Sequence, residues 1–199
     1  MDGDAVVPPR DRILEAARRL FDARGFHSTP VADLAAAAKV SVGQIYRCFA
    51  DKDAIIVAIV EADTDGRIYE MEQVFARVRA GASTAFEAVE AIARLSLMRQ
   101  MALSFEMLAE AYRNERVAAQ LKVLAGRYRQ HIIELALLIR PDAATPELDA
   151  YADILTACFF GLGHRTLIAP NLDIDRASHQ TACLLMQALS SAPEPITST

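Results

Sequence analysis

The chain of 199 residues is 53% apolar and 24% charged, with a formal net charge of −5. That apolar share excludes a disordered chain, and no apolar run approaches the roughly 20 residues needed to span a bilayer. Eight glycines, eight prolines and no run of alternating β-branched residues predict an all-α protein. Three widely spaced cysteines, Cys48, Cys158 and Cys183, form no metal motif and suit a reducing cytoplasm. The start, MDGDAVVPPRDR, has no basic stretch followed by a long apolar one, so a cytoplasmic protein is expected. Residues 1–9 and the polar end SSAPEPITST, about 191–199, read as disordered tails.

A first helix is predicted over Asp11–Arg24, with Ile13, Leu14, Ala17, Leu20 and Phe21 inward and Gly25 ending it. Thr29 then reads as a cap, with Pro30 at the first position of a small-residue helix, VADLAAAA. A three-residue turn, Lys39-Val40-Ser41, leads into another helix. Ser41 is its N-cap, and Gln44 completes a capping box. Val42, Ile45 and Phe49 share the apolar face of that helix, opposite Gly43, Gln44 and Arg47, with Tyr46 and Cys48 on the flanks. Two short helices at this spacing, about 29–49, are a helix-turn-helix pattern. Arg and Gln match guanine and adenine edges, and Gly43 permits close approach of a groove. Taken alone, the same face also fits an ordinary amphipathic helix with a solvated side. Lys52 falls in the first turn of the next helix, where a cation is locally unfavourable; with the free amides there it would hold a DNA phosphate.

The run ILEAARRLFDARGFHSTPVADLAAAAKVSVGQIYRCFADKDAI, roughly residues 10–56, resembles the N-terminal domain of the TetR family of bacterial transcriptional regulators. The landmarks are the first helix ending in LFDARGF, the Thr before the second helix, VSVGQIY, and Phe49 followed by Lys52. The resemblance implies that Thr29, Tyr46 and Lys52 hold phosphates while Gly43, Gln44 and Arg47 face the major groove. Two positions depart from the pattern. Lys39 stands where Gly is usual, at a cost of about 1 kcal/mol if the turn needs positive φ. Cys48 stands where an aromatic or His is common. Residues 1–54 hold eight basic and eight acidic side chains, the remainder thirteen and eighteen. Attraction to DNA must therefore come from the placement of Lys39, Arg47, Lys52 and helix ends, with strong salt dependence.

Beyond this head, a long helix is predicted from Lys52 to about Val78, passing Gly66. Thr84 with Glu87 starts the next, and others follow at about 84–100, 101–113, 115–140, 146–168 and 174–190. Residues 57–190 form the second domain. The helix over 146–168 is apolar on two stripes, one with Leu148, Tyr151, Leu155, Phe159 and Leu162, the other with Ile154, Ala157, Gly161 and Ile168. A helix apolar nearly all round needs cover on both sides, from a second subunit or from within one chain. A homodimer interface is expected at Leu155, Cys158, Phe159, Leu162, Leu185 and Leu189, and the resemblance implies such a dimer. Met101, Phe105, Leu108 and Tyr112 align as one wall of a possible pocket, with Tyr128 and His131 on the facing stripe. Tyr and His in a closed core with backbone partners is the equally open alternative. The resemblance adds the expectation of a ligand cavity at Met101, Phe105, Tyr112, Tyr128 and His131, for a small apolar or amphipathic effector. Glu106 and Glu110 fall off this stripe and are expected to face solvent.

The resulting expectation is a homodimeric, ligand-responsive transcriptional repressor that binds a palindromic double-stranded DNA operator. It would have a three-helix head, a helical ligand-binding and dimerisation domain, and no metal, cofactor or membrane association. A regulator without a small-molecule effector is one alternative. An all-α enzyme using His131 is another, although no nucleophile motif, metal cluster or phosphate loop supports it.

Overall fold

The computed structural model describes residues 7–99 and 102–190, and every regular element among them is a helix. The structure is all-α, with a helix-turn-helix near the N-terminus and further helices towards the C-terminus. It divides into two compact units that do not follow chain order. Among the described residues, 7–66 and 102–125 belong to the first, and 67–99 and 126–190 to the second. Of the expected tails, 1–6 and 191–199 lie outside the described residues, while Pro9 already starts a helix.

The first unit holds α1 (Pro9–Arg24), α2 (Val31–Ala38), α3 (Val42–Cys48) and the start of α4 (Lys52–Arg79). It also takes in α6 (Ala102–Ala111) and the first turns of α7 (Glu115–Ile139). Pro9 suits a first turn because its missing N–H would have no partner there, and Asp11 complements the helix dipole. Ile13, Ala16, Ala17 and Phe21 recur at helical spacing and are buried; Gly25, at φ +83°, closes α1. Leu34, Ile45, Ile55, Ile56 and Ile59 join the same core. So do Leu103, Met107, Val117 and Leu124, which is why the observed division differs from the expected 10–56 and 57–190.

Local starts differ in three details. The N-cap of α2 is Pro30, not Thr29, whose hydroxyl is buried and donates to the Gly25 carbonyl at 2.9 Å. Ser41 does cap α3, accepting from the Gln44 N–H at 3.1 Å, but the Gln44 side chain turns outward and leaves the box half-formed. Val42, expected inside, is exposed. Asp51 begins α4 by accepting from the Ala54 N–H at 2.8 Å, and α4 runs unbroken through Gly66.

The second unit holds the rest of α4 and α7, with α5 (Ala85–Met98), α8 (Thr145–Leu162), α9 (Arg165–Ile168) and α10 (Ile174–Ser190). Thr84 and Glu87 form the expected capping box at α5. At α8 the cap comes from Glu147, which accepts from the Ala144 N–H at 3.1 Å. The single helix expected over 146–168 breaks at Gly163, and α9 follows. Alanines at 88, 93, 152 and 182 are fully buried and let α5 lie close to α8 and α10 around Phe75, Val89 and Leu135.

This core absorbs most of the side chains expected at a subunit interface. Leu155, Phe159, Leu185 and Leu189 are buried within the single chain, and Cys158 and Leu162 are half-buried against them. The stripe of α8 through Leu155 and Phe159 is its inner one. The outer stripe carries Ile154, 49% exposed, and Phe160, while α10 presents Leu184, 67% exposed.

Candidate nucleic-acid interface

The turn before α3 is built on Lys39, the one non-glycine residue with positive φ among the described residues (φ 55°, ψ 48°). This left-handed conformation ends α2, with the Lys39 N–H donating to the Ala36 carbonyl at 3.2 Å. A side chain there costs about 1 kcal/mol. Lys39→Gly is accordingly expected to stabilise the chain by about 0.5–1 kcal/mol, read as a higher urea midpoint at unchanged slope. No change, or a loss, would show that the turn carries no such strain.

Ile45 anchors α3 in the core, and this single buried contact turns the opposite face outward. Gly43, Tyr46 and Arg47 are exposed on that face, and Gln44 is half-buried. The Arg47 Nη2 donates to Gln44 Oε1 at 2.5 Å, and Gln44 Nε2 lies 3.8 Å from Cys48 Sγ. In the same unit Arg18 forms two hydrogen bonds to Asp63 at 2.8 and 2.9 Å, Arg24 pairs with Asp33, and Arg116 pairs with Asp51. Lys39 and Arg47 have no carboxylate partner among the described residues. Among the described residues, positive charge on this unit is thus open at α3 and the turn before it, as it is at Arg10, Arg12 and Arg19 of α1.

The other expected phosphate residues are differently placed. The inward hydroxyl of Thr29 is spent on backbone carbonyls, so it is not offered to solvent. Lys52 folds back: its Nζ sits 4.5 Å from the Phe26 ring centroid and 3.4 Å from the His27 carbonyl. Burial lowers its pKa below the ordinary lysine value, opposed by the charges of Asp53 and Glu106.

Glu106 and Glu110 of α6 do not face bulk solvent as expected. Glu106 Oε2 accepts from the Phe26 N–H at 2.5 Å, and Glu110 Oε2 lies 3.1 Å from His27 Nε2. Both carboxylates therefore hold the loop between α1 and α2, the same loop on which Lys52 rests. A signal existed: with the buried Leu103 and Met107 they repeat at the three- and four-residue spacing of one helix face. Glu106→Ala is expected to cost about 1–3 kcal/mol by leaving the Phe26 amide without its acceptor. Glu106→Gln, which keeps an oxygen there, should cost much less; equal losses in urea unfolding would remove this contact from the account.

The expected effector residues are not gathered in one unit. Met101 lies outside the described residues; Phe105 and Tyr112 belong to the first unit, Tyr128 and His131 to the second. Tyr112 is 87% exposed, because the buried stripe of α6 runs through Leu103 and Met107 instead. Tyr128 borders a recess of about 20 Å³, with the Arg67 guanidinium 5.0 Å from its ring centroid. Burial raises its hydroxyl pKa, while Arg67 and Arg99 pull it down. His131 is bound to Glu72 through Nε2 and to the Arg127 carbonyl through Nδ1, each at 3.1 Å. A cleft of about 320 Å³ that sequence patterns did not reveal opens beside α3, bordered by Cys48, Phe49, Val57, Arg10 and Arg116.

The family profile described as bacterial regulatory proteins, tetR family, matches residues 13–59, from the buried stripe of α1 into α4. The HTH-type transcriptional regulator UidR of Escherichia coli strain K12 is 37% identical over 120 residues, 58% of each chain. The chain thus spans well under two thirds of the length of this curated relative. Salmonella enterica GusR superposes with a TM-score of 0.68 at 22% identity, covering 94% of this chain and 100% of that one. FadR from Bacillus subtilis, in complex with stearoyl-CoA, gives 0.67 at 16% identity, covering 88% and 97%. At such identities the two structures share the fold alone. The profile over the helix-turn-helix, the regulator matched in sequence and the all-α architecture agree: residues 13–59 of this chain are similar to the bacterial regulatory proteins of the tetR family.

Proposed function

We propose that the chain is a ligand-responsive transcriptional repressor that binds a palindromic operator as a homodimer. One observation carries the DNA reading: α3 is pinned by Ile45 and turns Gly43, Tyr46 and Arg47 to solvent beside Lys39, with no carboxylate to neutralise the cations among the described residues. The face of α3 that carries Gly43, Gln44 and Arg47 would meet the base edges, and Lys39, Tyr46, Lys52 and the free amides at the start of α2 the phosphates. The likeness in sequence to UidR, an HTH-type transcriptional regulator, supports this reading.

A single head reads too few base pairs to be selective, and the exposed apolar residues of α8 and α10 supply a surface on which two copies would pair. The FadR structure holds an acyl-CoA ligand, and by likeness of fold we assign this chain a small apolar or amphipathic effector. The effector would lower operator affinity by favouring one arrangement of the dimer over another.

The deciding experiment is selection of bound sequences from a random DNA pool with the purified full chain. The expected result is an inverted repeat with half-site centres about one helical turn apart, or a multiple of it. Arg47→Ala should then cost about 1–3 kcal/mol on the selected site, and Lys52→Ala should weaken all sequences alike while lowering the salt slope. Failure to enrich any sequence would sink the proposal.

A further inference from the structure

We infer that Gln44 is a positioning residue, holding the Arg47 guanidinium for a guanine instead of reading a base itself. This rests on the DNA-binding reading above and deepens it. The two residues stand three apart on α3, the spacing at which helix side chains meet. Arg47 Nη2 donates to Gln44 Oε1, and Gln44 Nε2 is turned to Cys48 Sγ, 3.8 Å away and one turn on. The direction of the carboxamide is dictated by chemistry, because a guanidinium has only donors and the opposite orientation would set amide hydrogens against it.

Both ends of Gln44 are thus engaged within its own helix. Reading adenine requires the amide oxygen on N6 and the amide nitrogen on N7 at once, so Gln44 would have to abandon both partners. Arg47 is in the opposite position. Guanine needs two donors, at O6 and N7, and a guanidinium with five N–H groups keeps enough after giving one to Gln44. Holding the fork in one orientation also removes rotamer freedom that a loose arginine would lose on docking. Arg47 is exposed and has no carboxylate partner among the described residues, and Gly43, one turn earlier, puts no side chain beside it. The arrangement therefore specifies one guanine in each half-site, read by Arg47 and sharpened by Gln44.

The test repeats the random-pool selection with wild type, Gln44→Ala, Gln44→Glu, Arg47→Ala and the double Ala variant of the full chain. Wild type should prefer guanine by roughly 5- to 100-fold at one position of each half-site. Gln44→Ala should still bind the operator but retain only about a few-fold of that preference. Gln44→Glu, whose carboxylate still accepts from Arg47, should restore the preference while lowering affinity for all sequences, because it neutralises that cation. Arg47→Ala should remove the preference, and the double variant should lose nothing further at that position. If Gln44→Ala leaves the guanine intact and erases an adenine preference nearby, Gln44 reads a base and the inference falls while DNA binding stands. A Gln44→Glu protein that behaves like Gln44→Ala also overturns it. A wild-type protein that enriches no sequence ends both readings.

Discussion

Leu155→Ala is expected to destabilise the chain by about 2–5 kcal/mol, while Ile154→Asp, one residue earlier, should leave folding nearly intact and dissociate the proposed homodimer. Leu155 is fully buried in the core it shares with Phe75, Val89 and Leu185, and truncation would remove contacts that the packed alanines of α5 and α8 cannot move in to replace. Ile154 is half exposed on the other stripe of the same helix. A carboxylate there costs little in one chain but would sit uncompensated in an apolar subunit contact. Urea unfolding reads the first effect, and sedimentation at several protein concentrations reads the second. Exchanged phenotypes, with Leu155→Ala monomeric but stable, would restore Leu155 to the interface. An Ile154→Asp protein that remains dimeric would move the interface elsewhere.

Phe21→Ala should cost about 3–5 kcal/mol and loosen the helix-turn-helix end of the first unit. The ring is buried, meets Phe26 edge to face at a centroid distance of 5.1 Å and lies 5.9 Å from the Lys52 ammonium. Losing it opens a cavity under the loop that Glu106 and Glu110 hold, and removes one of the two rings beside Lys52. Hydrogen exchange resolved by helix is the suitable measurement, since two compact units need not unfold together. Amides of α1 and α2 should lose protection, and Phe21→Leu, which fills more of the space, should lose less. Unchanged exchange in α1 would mean that Phe21 is not part of what closes this core.

The head was the most legible part because its signals are local. Ser41 before Val42 and Gly25 after Arg24 act over a single helical turn, as Thr84 with Glu87 does in the second unit, and each does what its chemistry requires. Even the misfit at Lys39 was readable, since a helix-turn-helix demands a left-handed residue whatever side chain occupies it. The failures occur where a helix offers two apolar stripes. In α6, Leu103 with Met107 and Phe105 with Leu108 and Tyr112 are equally periodic, and the stripe that joins the core, Leu103 with Met107, is not marked by periodicity. In α8 the choice between Leu155 and Ile154 is likewise settled by α5 and α10, which stand far away in sequence. The placement of Glu106 is settled at a distance too: its partner is a backbone amide 80 residues earlier.

The interleaved division of the chain has a consequence for how the protein is made. Leu103, Met107, Val117 and Leu124 complete the core begun by Ile13, Phe21 and Ile45, so the head cannot close when residue 66 leaves the ribosome. At ordinary elongation rates about 3–12 s more are needed to reach Leu124, with Ile55, Ile56 and Ile59 still lacking their cover. During that interval the nascent head is a client for chaperones, and a gene fragment ending at residue 66 would encode a sticky, unfinished core in place of a portable DNA-binding module.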